Sequence, residues 1–201
     1  MNSLKLLMLP VLLLVFMSCD VVFDIHPYDV DFKGDIAIIA SRQTGLSPEA
    51  ITMIMVGLDV VAFFAGLAFG TLMRRFRMSI KYFAPLFFLS GYAAYLVPAI
   101  PMAILGSAFI GIATGVGVPY LNTIASIKGG RDSTTTVMPL LSAALYLGQF
   151  VSPLIVMPLS RALFGVEDIL GPYKVGAVFS IVFLLQVWAT RNFQSLPPKE
   201  P

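Results

Sequence analysis

The stretch from Ser47 to Met78, SPEAITMIMVGLDVVAFFAGLAFGTLMRRFRM, decides the fold. It opens on a helix-start signature. The Ser47 hydroxyl suits an N-cap, Pro48 suits a first helical position whose missing N–H costs nothing, and Glu49 suits the positive end of the helix dipole. Then comes Ala50–Met73, apolar except for Thr52, Asp59 and Thr71 and with Asp59 its only charge, and after it a burst of arginines. A helix needs about 20 mostly apolar residues to cross roughly 30 Å of bilayer hydrocarbon, so this segment is long enough to span a membrane.

Five further stretches read the same way: Leu4–Phe23, Tyr82–Ala99, Met102–Ala125, Thr136–Pro158 and Gly171–Thr190. Of 201 residues, 58% are apolar and 12% are charged, about half the charged fraction of an ordinary soluble domain. Such a chain cannot cover itself with polar surface and takes lipid as its solvent. The expected fold is an all-α membrane protein, a bundle of about six transmembrane helices over residues 1–193. A polar, proline-rich cytoplasmic tail without fixed structure is expected over 194–201. Met1–Ser18 before Cys19 also has some features of a lipoprotein signal, but Phe16 and Met17 fit the processing site poorly, and a transmembrane helix is the better reading. A net charge of +2 spread over scattered bases argues against nucleic acid as a partner. The single cysteine, Cys19, excludes an internal disulfide and any multi-cysteine metal site.

Basic residues in the short loops set the orientation. With the N-terminus inside, nine of the 13 bases are cytoplasmic: Lys5, Arg74, Arg75, Arg77, Lys81, Lys128, Arg131, Arg191 and Lys199. Lys33, Arg42, Arg161 and Lys174 lie outside, so both termini are expected in the cytoplasm of a multi-pass protein of the cell's inner or plasma membrane.

Lipid supplies no hydrophobic drive for helix association, so close contact needs small residues along one face. Met102–Ala125 carries Ala103, Ser107, Gly111 and Gly115 at four-residue spacing, then Gly117 and Pro119. Thr136–Pro158 carries Ala144, Gly148 and Ser152, and Ala50–Met73 carries Gly66 and Gly70. These stripes read as packing seams of a compact bundle.

The loop Gly70-Thr-Leu-Met-Arg-Arg-Phe-Arg-Met78, with Lys81 after it, resembles the glycine–basic loop motif of the major facilitator superfamily. In that family the motif joins the second and third helices of each six-helix half on the cytoplasmic side; Gly70, Arg74, Arg75 and Arg77 carry the likeness here. Arg74 stands where the motif usually has an acid. Ser142-Ala-Ala-Leu-Tyr-Leu-Gly-Gln149-Phe-Val-Ser-Pro153, with Arg161 and Phe164-Gly165, is similar to the family's eleventh helix. The glycine-rich span ending at Pro119 is similar to its tenth, and Gly45-Leu-Ser-Pro48 to the approach to its eighth. The resemblance covers almost the whole chain. It implies the C-terminal six-helix half of a twelve-helix secondary transporter that moves a small solute by symport or antiport, without a cofactor. One half lacks the opposing wall, so a second six-helix half or a homodimer mate is implied as partner beside the lipid bilayer and the solute. The alternative is a non-transporting interaction or regulatory subunit, or an inert fragment.

Asp59 is the sharpest single feature. It falls about 4 Å from the middle of its expected span, where a carboxylate costs several kcal/mol unless it is paired, protonated or wetted. Helical spacing groups it with Thr52, Gly66 and Gly70, which places it on the packed side, as a candidate for proton or cation coupling or as a hydrogen-bonded structural acid. Ser142, Tyr146 and Gln149 form a polar stripe that suits either a solute or a neighbouring helix, and Asn122 is a weaker candidate of the same kind. The acidic segment 20–35 contains the only histidine, His26. Read from Asp29 as a calcium loop it fails at Lys33 and at Ala40, so no metal is expected. It reads as a solvated outer loop or as a broken helix end lining a polar cavity. No catalytic constellation appears, and no enzyme activity is expected.

Overall fold

A computed structural model describes Gly45, residues 47–77, residues 79–165, Asp168 and residues 170–190. The expected first span Leu4–Phe23, the acidic segment and the tail lie outside the described residues. Within them the protein is all-helical, without strands, and four helical segments are long and apolar enough to cross a membrane.

Helix α1 (Pro48–Phe76) starts where its capping residues require. Ser47 has extended backbone, its hydroxyl accepts the Ala50 N–H at 3.3 Å, and Pro48 takes the first turn. The Ser47 hydroxyl also hydrogen-bonds the exposed Glu49 carboxyl and holds it below its ordinary range. A short 3-10 turn, Ile80–Tyr82, leads into α2 (Phe83–Tyr95). The sequence places a crossing helix over 82–99; α2 is instead 13 residues, about 20 Å long. Pro98 is the cause, because it lacks an N–H and forces the residue before it out of helical geometry.

Helix α3 (Ile100–Phe164), 65 residues long, carries the two spans expected over 102–125 and 136–158 as its apolar stretches Ile100–Ile127 and Thr136–Phe164. Residues 126–135 contain no proline, so no ring stops the helix there. A straight helix of that length would extend about 98 Å, but its two ends are neighbours. Tyr95 is bonded to Ser107 near the start of α3 at 2.7 Å, and its ring stacks on Tyr173 with centroids 5.0 Å apart. Two residues before Tyr173, Gly171 lies against the hydroxyl of Ser160 near the far end of α3. The element is therefore not one straight rod: the chain folds back between its two apolar arms, Ile100–Ile127 and Thr136–Phe164, each a separate candidate crossing. It ends at Gly165, whose φ of +88° is open to glycine and strained for other residues.

Asp168 pins the connection to α4 (Gly171–Ala189). Its carboxylate accepts the Leu170 N–H at 3.0 Å and the Lys174 ammonium at 2.6 Å. The contacts alternate in direction, so α1, the first arm and α4 run one way, and α2 and the second arm run the other. Against α1 the first arm presents Gly111 and Gly115. A Cβ on Gly111 would stand 2.6 Å from the Leu58 carbonyl oxygen, and one on Gly115 would collide with that of Ala62. Where α2 crosses the first arm, Gly91 and Gly106 allow the backbones to touch, and a Cβ on Gly106 would stand 2.9 Å from the Gly91 carbonyl oxygen. Gly176 of α4 lies under the ring of Tyr92. Phe88, Ile110, Ala113, Val116 and Ile124 fill the middle.

The expected seams divide differently from their spacing. Gly111 and Gly115 face α1, whereas Ser107 of the same stripe faces Tyr95 of α2. On α1 the packed stripe is Leu58, Ala62, Ala65 and Phe69; Gly66 touches its margin, and Gly70 is exposed with nothing within 4 Å of a Cβ. Gly148 and Ser152 are buried on the second arm.

Candidate functional site

Asp59 is the one acid inside a crossing segment among the described residues, the fourth residue of Val56–Phe76. It follows Leu58, whose backbone rests on Gly111, and one residue further turns it about 100° round the helix. Its side chain is therefore exposed, not on the packed side with Gly66 as its spacing implied. The surface around it is apolar: Val56, Val60 and Phe63, which precede and follow it on the same side, are each more than half exposed.

The other candidates also face outward. Tyr146 is 73% exposed and Ser142 is exposed on the second arm, and Asn122 is exposed on the first. The side chain of Gln149 lies outside the described residues. Among the described residues, no hydrogen bond joins Asp59, Asn122, Ser142 and Tyr146, which sit on three separate crossings. At the loop motif, Gly70, Arg74 and Arg75 are exposed and Arg77 is half-buried.

The buried polar groups are different residues. Ser107 and Ser180 each bond a carbonyl four residues back, as does the half-buried Thr123, which satisfies the hydroxyl within its own helix. Tyr95 and Ser107 add the cross-helix bond already described. Gln186 of α4 buries both amide atoms without a hydrogen-bond partner among the described residues. Its signal in the sequence is a lone amide in the apolar run Ile181–Trp188. Among the described residues no group of His, Cys, Asp or Glu is placed to hold a metal. Comparison with family models, curated proteins and solved structures finds no match.

Proposed function

We propose that this chain is a multi-pass membrane protein of about six spans, with both termini cytoplasmic, that forms one half of a secondary transporter of the major facilitator type. The observation that carries the reading is the outward position of Asp59 on a membrane-crossing helix. Asp59 is the fourth residue of Val56–Phe76, toward one end of the crossing; a carboxylate facing hydrocarbon is costly, less so there than at the centre, and such residues face cavities, partners or the headgroup layer instead. A second six-helix wall, from another half or from a second copy of this chain, would enclose Asp59 in a wet path. Asp59 then exchanges the coupling proton or cation, while Ser142, Tyr146, Gln149 and Asn122 offer hydrogen bonds to a small solute. The resemblance of the loop Gly70–Met78 and of the stretch Ser142–Pro153 supports the family assignment. No cofactor enters the reading.

Proteoliposomes enclosing a pH-sensitive dye, challenged in turn with sugars, amino acids and organic cations, test it. One solute class should drive proton movement, and Asp59→Asn should abolish the coupling. Uptake with unchanged pH dependence in Asp59→Asn removes Asp59 from the mechanism.

A second reading is favoured by α1, which packs chiefly on the first arm and leaves Phe63, Phe64 and Leu67 each more than 60% exposed. This face suits the helix of another membrane protein, and the chain would then be an interaction subunit. Mass in detergent separates the two: a stable dimer rebuilds a twelve-helix transporter, whereas a monomer that associates with a different membrane protein supports the subunit.

A further inference from the structure

The arginine-bearing end of α1 carries a feature that solute transport does not use. Between Asp59 and Asp132 the chain has no acidic residue, yet Arg74, Arg75, Arg77 and Lys81 fall close together there. Arg74 and Arg75 lie in the last turn of α1 and are exposed. Lys81 is buried in the 3-10 turn beneath them, its ammonium 5.4 Å from the centre of the Tyr82 ring.

Next to this charge a row of aromatic rings leads away from the helix end. Phe76 and Phe83 have centroids 5.0 Å apart, Phe83 and Phe87 6.0 Å, and Phe87 and Phe109 5.7 Å. Phe76 is 45% exposed and the other three are half-buried, so the row lines a surface. The three helices explain why. α1 and α2 both pack on the first arm of α3 and make few contacts with each other, and the rings run from the end of α1 along α2 to Phe109 of α3.

We propose that this ring-lined surface binds a membrane phospholipid with an anionic headgroup, its phosphate on Arg74 and Arg75 and one acyl chain along Phe76, Phe83, Phe87 and Phe109. The chemistry is complementary at both ends. Guanidinium forks pair with phosphate oxygens in bidentate fashion, and they sit where a crossing helix meets the headgroup layer. Rings in a row at van der Waals spacing give an acyl chain continuous apolar contact. The inference rests on the membrane-spanning part of the proposed function and not on transport or Asp59, so the Asp59→Asn experiment can fail without touching it.

Native mass spectrometry of the full chain in detergent tests it, with phosphatidylglycerol and phosphatidylcholine of identical acyl chains added together. Wild-type protein should retain phosphatidylglycerol over phosphatidylcholine by about thirtyfold, roughly five- to sixfold for each arginine at an anionic headgroup. Arg74→Gln with Arg75→Gln should bring the ratio to near one. Arg161→Gln, an exposed arginine near the opposite end of the bundle, should leave it unchanged. Phe87→Ala should lower retention of both lipids and preserve their ratio. Equal retention by the wild type overturns the site, as does a preference that survives the double substitution or falls equally in Arg161→Gln. If the double variant does not fold, the wild-type ratio decides, and a ratio of one overturns the proposal.

Discussion

A single added methyl group at Gly111 or at Gly115 tests the packing that holds α1 in place. On Gly111 the methyl carbon stands 2.6 Å from the Leu58 carbonyl oxygen and 3.2 Å from Cβ of Val61. On Gly115 it overlaps the Ala62 carbonyl oxygen and comes within 2.9 Å of Cβ of Ala65. Ordinary contact begins near 3.4 Å, so the shortfall at Gly111 is about 0.8 Å. The obstacles are backbone atoms, and no rotamer change can yield to them; the helices must part. A gap of about 0.5–1 Å forfeits a quarter to a half of each dispersion contact along the seam, and overpacking of this kind costs about 1–3 kcal/mol. Alanine returns up to about 1 kcal/mol of helix propensity. The expected net loss is therefore about 1–2 kcal/mol for Gly111→Ala. It should be larger for Gly115→Ala. Gly70 is the control, because a Cβ there meets open space, and Gly70→Ala should be neutral or stabilising by up to about 1 kcal/mol. Unfolding of the three variants in mixed micelles, followed by circular dichroism, measures all of this. Equal stability of the three would refute the seam.

The serine–tyrosine bond gives a second test. Ser107 donates its single proton to the Ala103 carbonyl at 2.9 Å, so Tyr95 is the donor in the 2.7 Å bond between them. Tyr95→Phe should cost about 0.5–1.5 kcal/mol in the same unfolding assay, and Ser107→Ala more, because it strands the tyrosine hydroxyl. Gln186 buries an amide without a hydrogen-bond partner among the described residues, an arrangement that costs about 1–3 kcal/mol, so Gln186→Leu should raise the midpoint; a fall would show that the amide is bonded in the membrane. At the α3–α4 connection the Lys174 hydrogen bond holds the Asp168 carboxyl below its ordinary range, helped by the Leu170 N–H. A depressed folded value means that the stabilisation is present above the unfolded pKa and decays as pH falls through the lower folded one. Wild type should therefore exceed Asp168→Asn by up to about 1 kcal/mol at pH 7, and the gap should close below about pH 4. A gap that widens in acid contradicts the assignment.

Local punctuation was legible in the sequence, and facing was not. Ser47-Pro48-Glu49 marks the start of α1, because a capping hydroxyl or a missing N–H acts over one turn whatever surrounds it, whereas the span expected over 82–99 ran past Pro98. Asp59 was placed on the wrong face for a physical reason. In a membrane both the packed and the lipid-facing sides of a helix are apolar, so periodicity does not say which is which. The stripe Asp59–Gly66–Gly70 differs from the true seam, Leu58–Ala62–Ala65, by about one residue of rotation. The α2 contact through Gly91 and Gly106 was missed because each glycine stands alone on its face, outside any four-residue repeat. The ring row beside Arg74 and Arg75 joins residues of three helices, a juxtaposition that no local pattern carries.

The chain folds back within α3, so that its two arms cross the membrane separately. Cysteine accessibility in intact cells tests this most directly, with Arg131→Cys and Asp168→Cys placed one at a time in a Cys19→Ser background and exposed to a membrane-impermeant thiol reagent. Residues 131 and 168 should lie on opposite sides, with 168 labelled from outside and 131 labelled only after lysis. Labelling of both from the same side would contradict the fold described above.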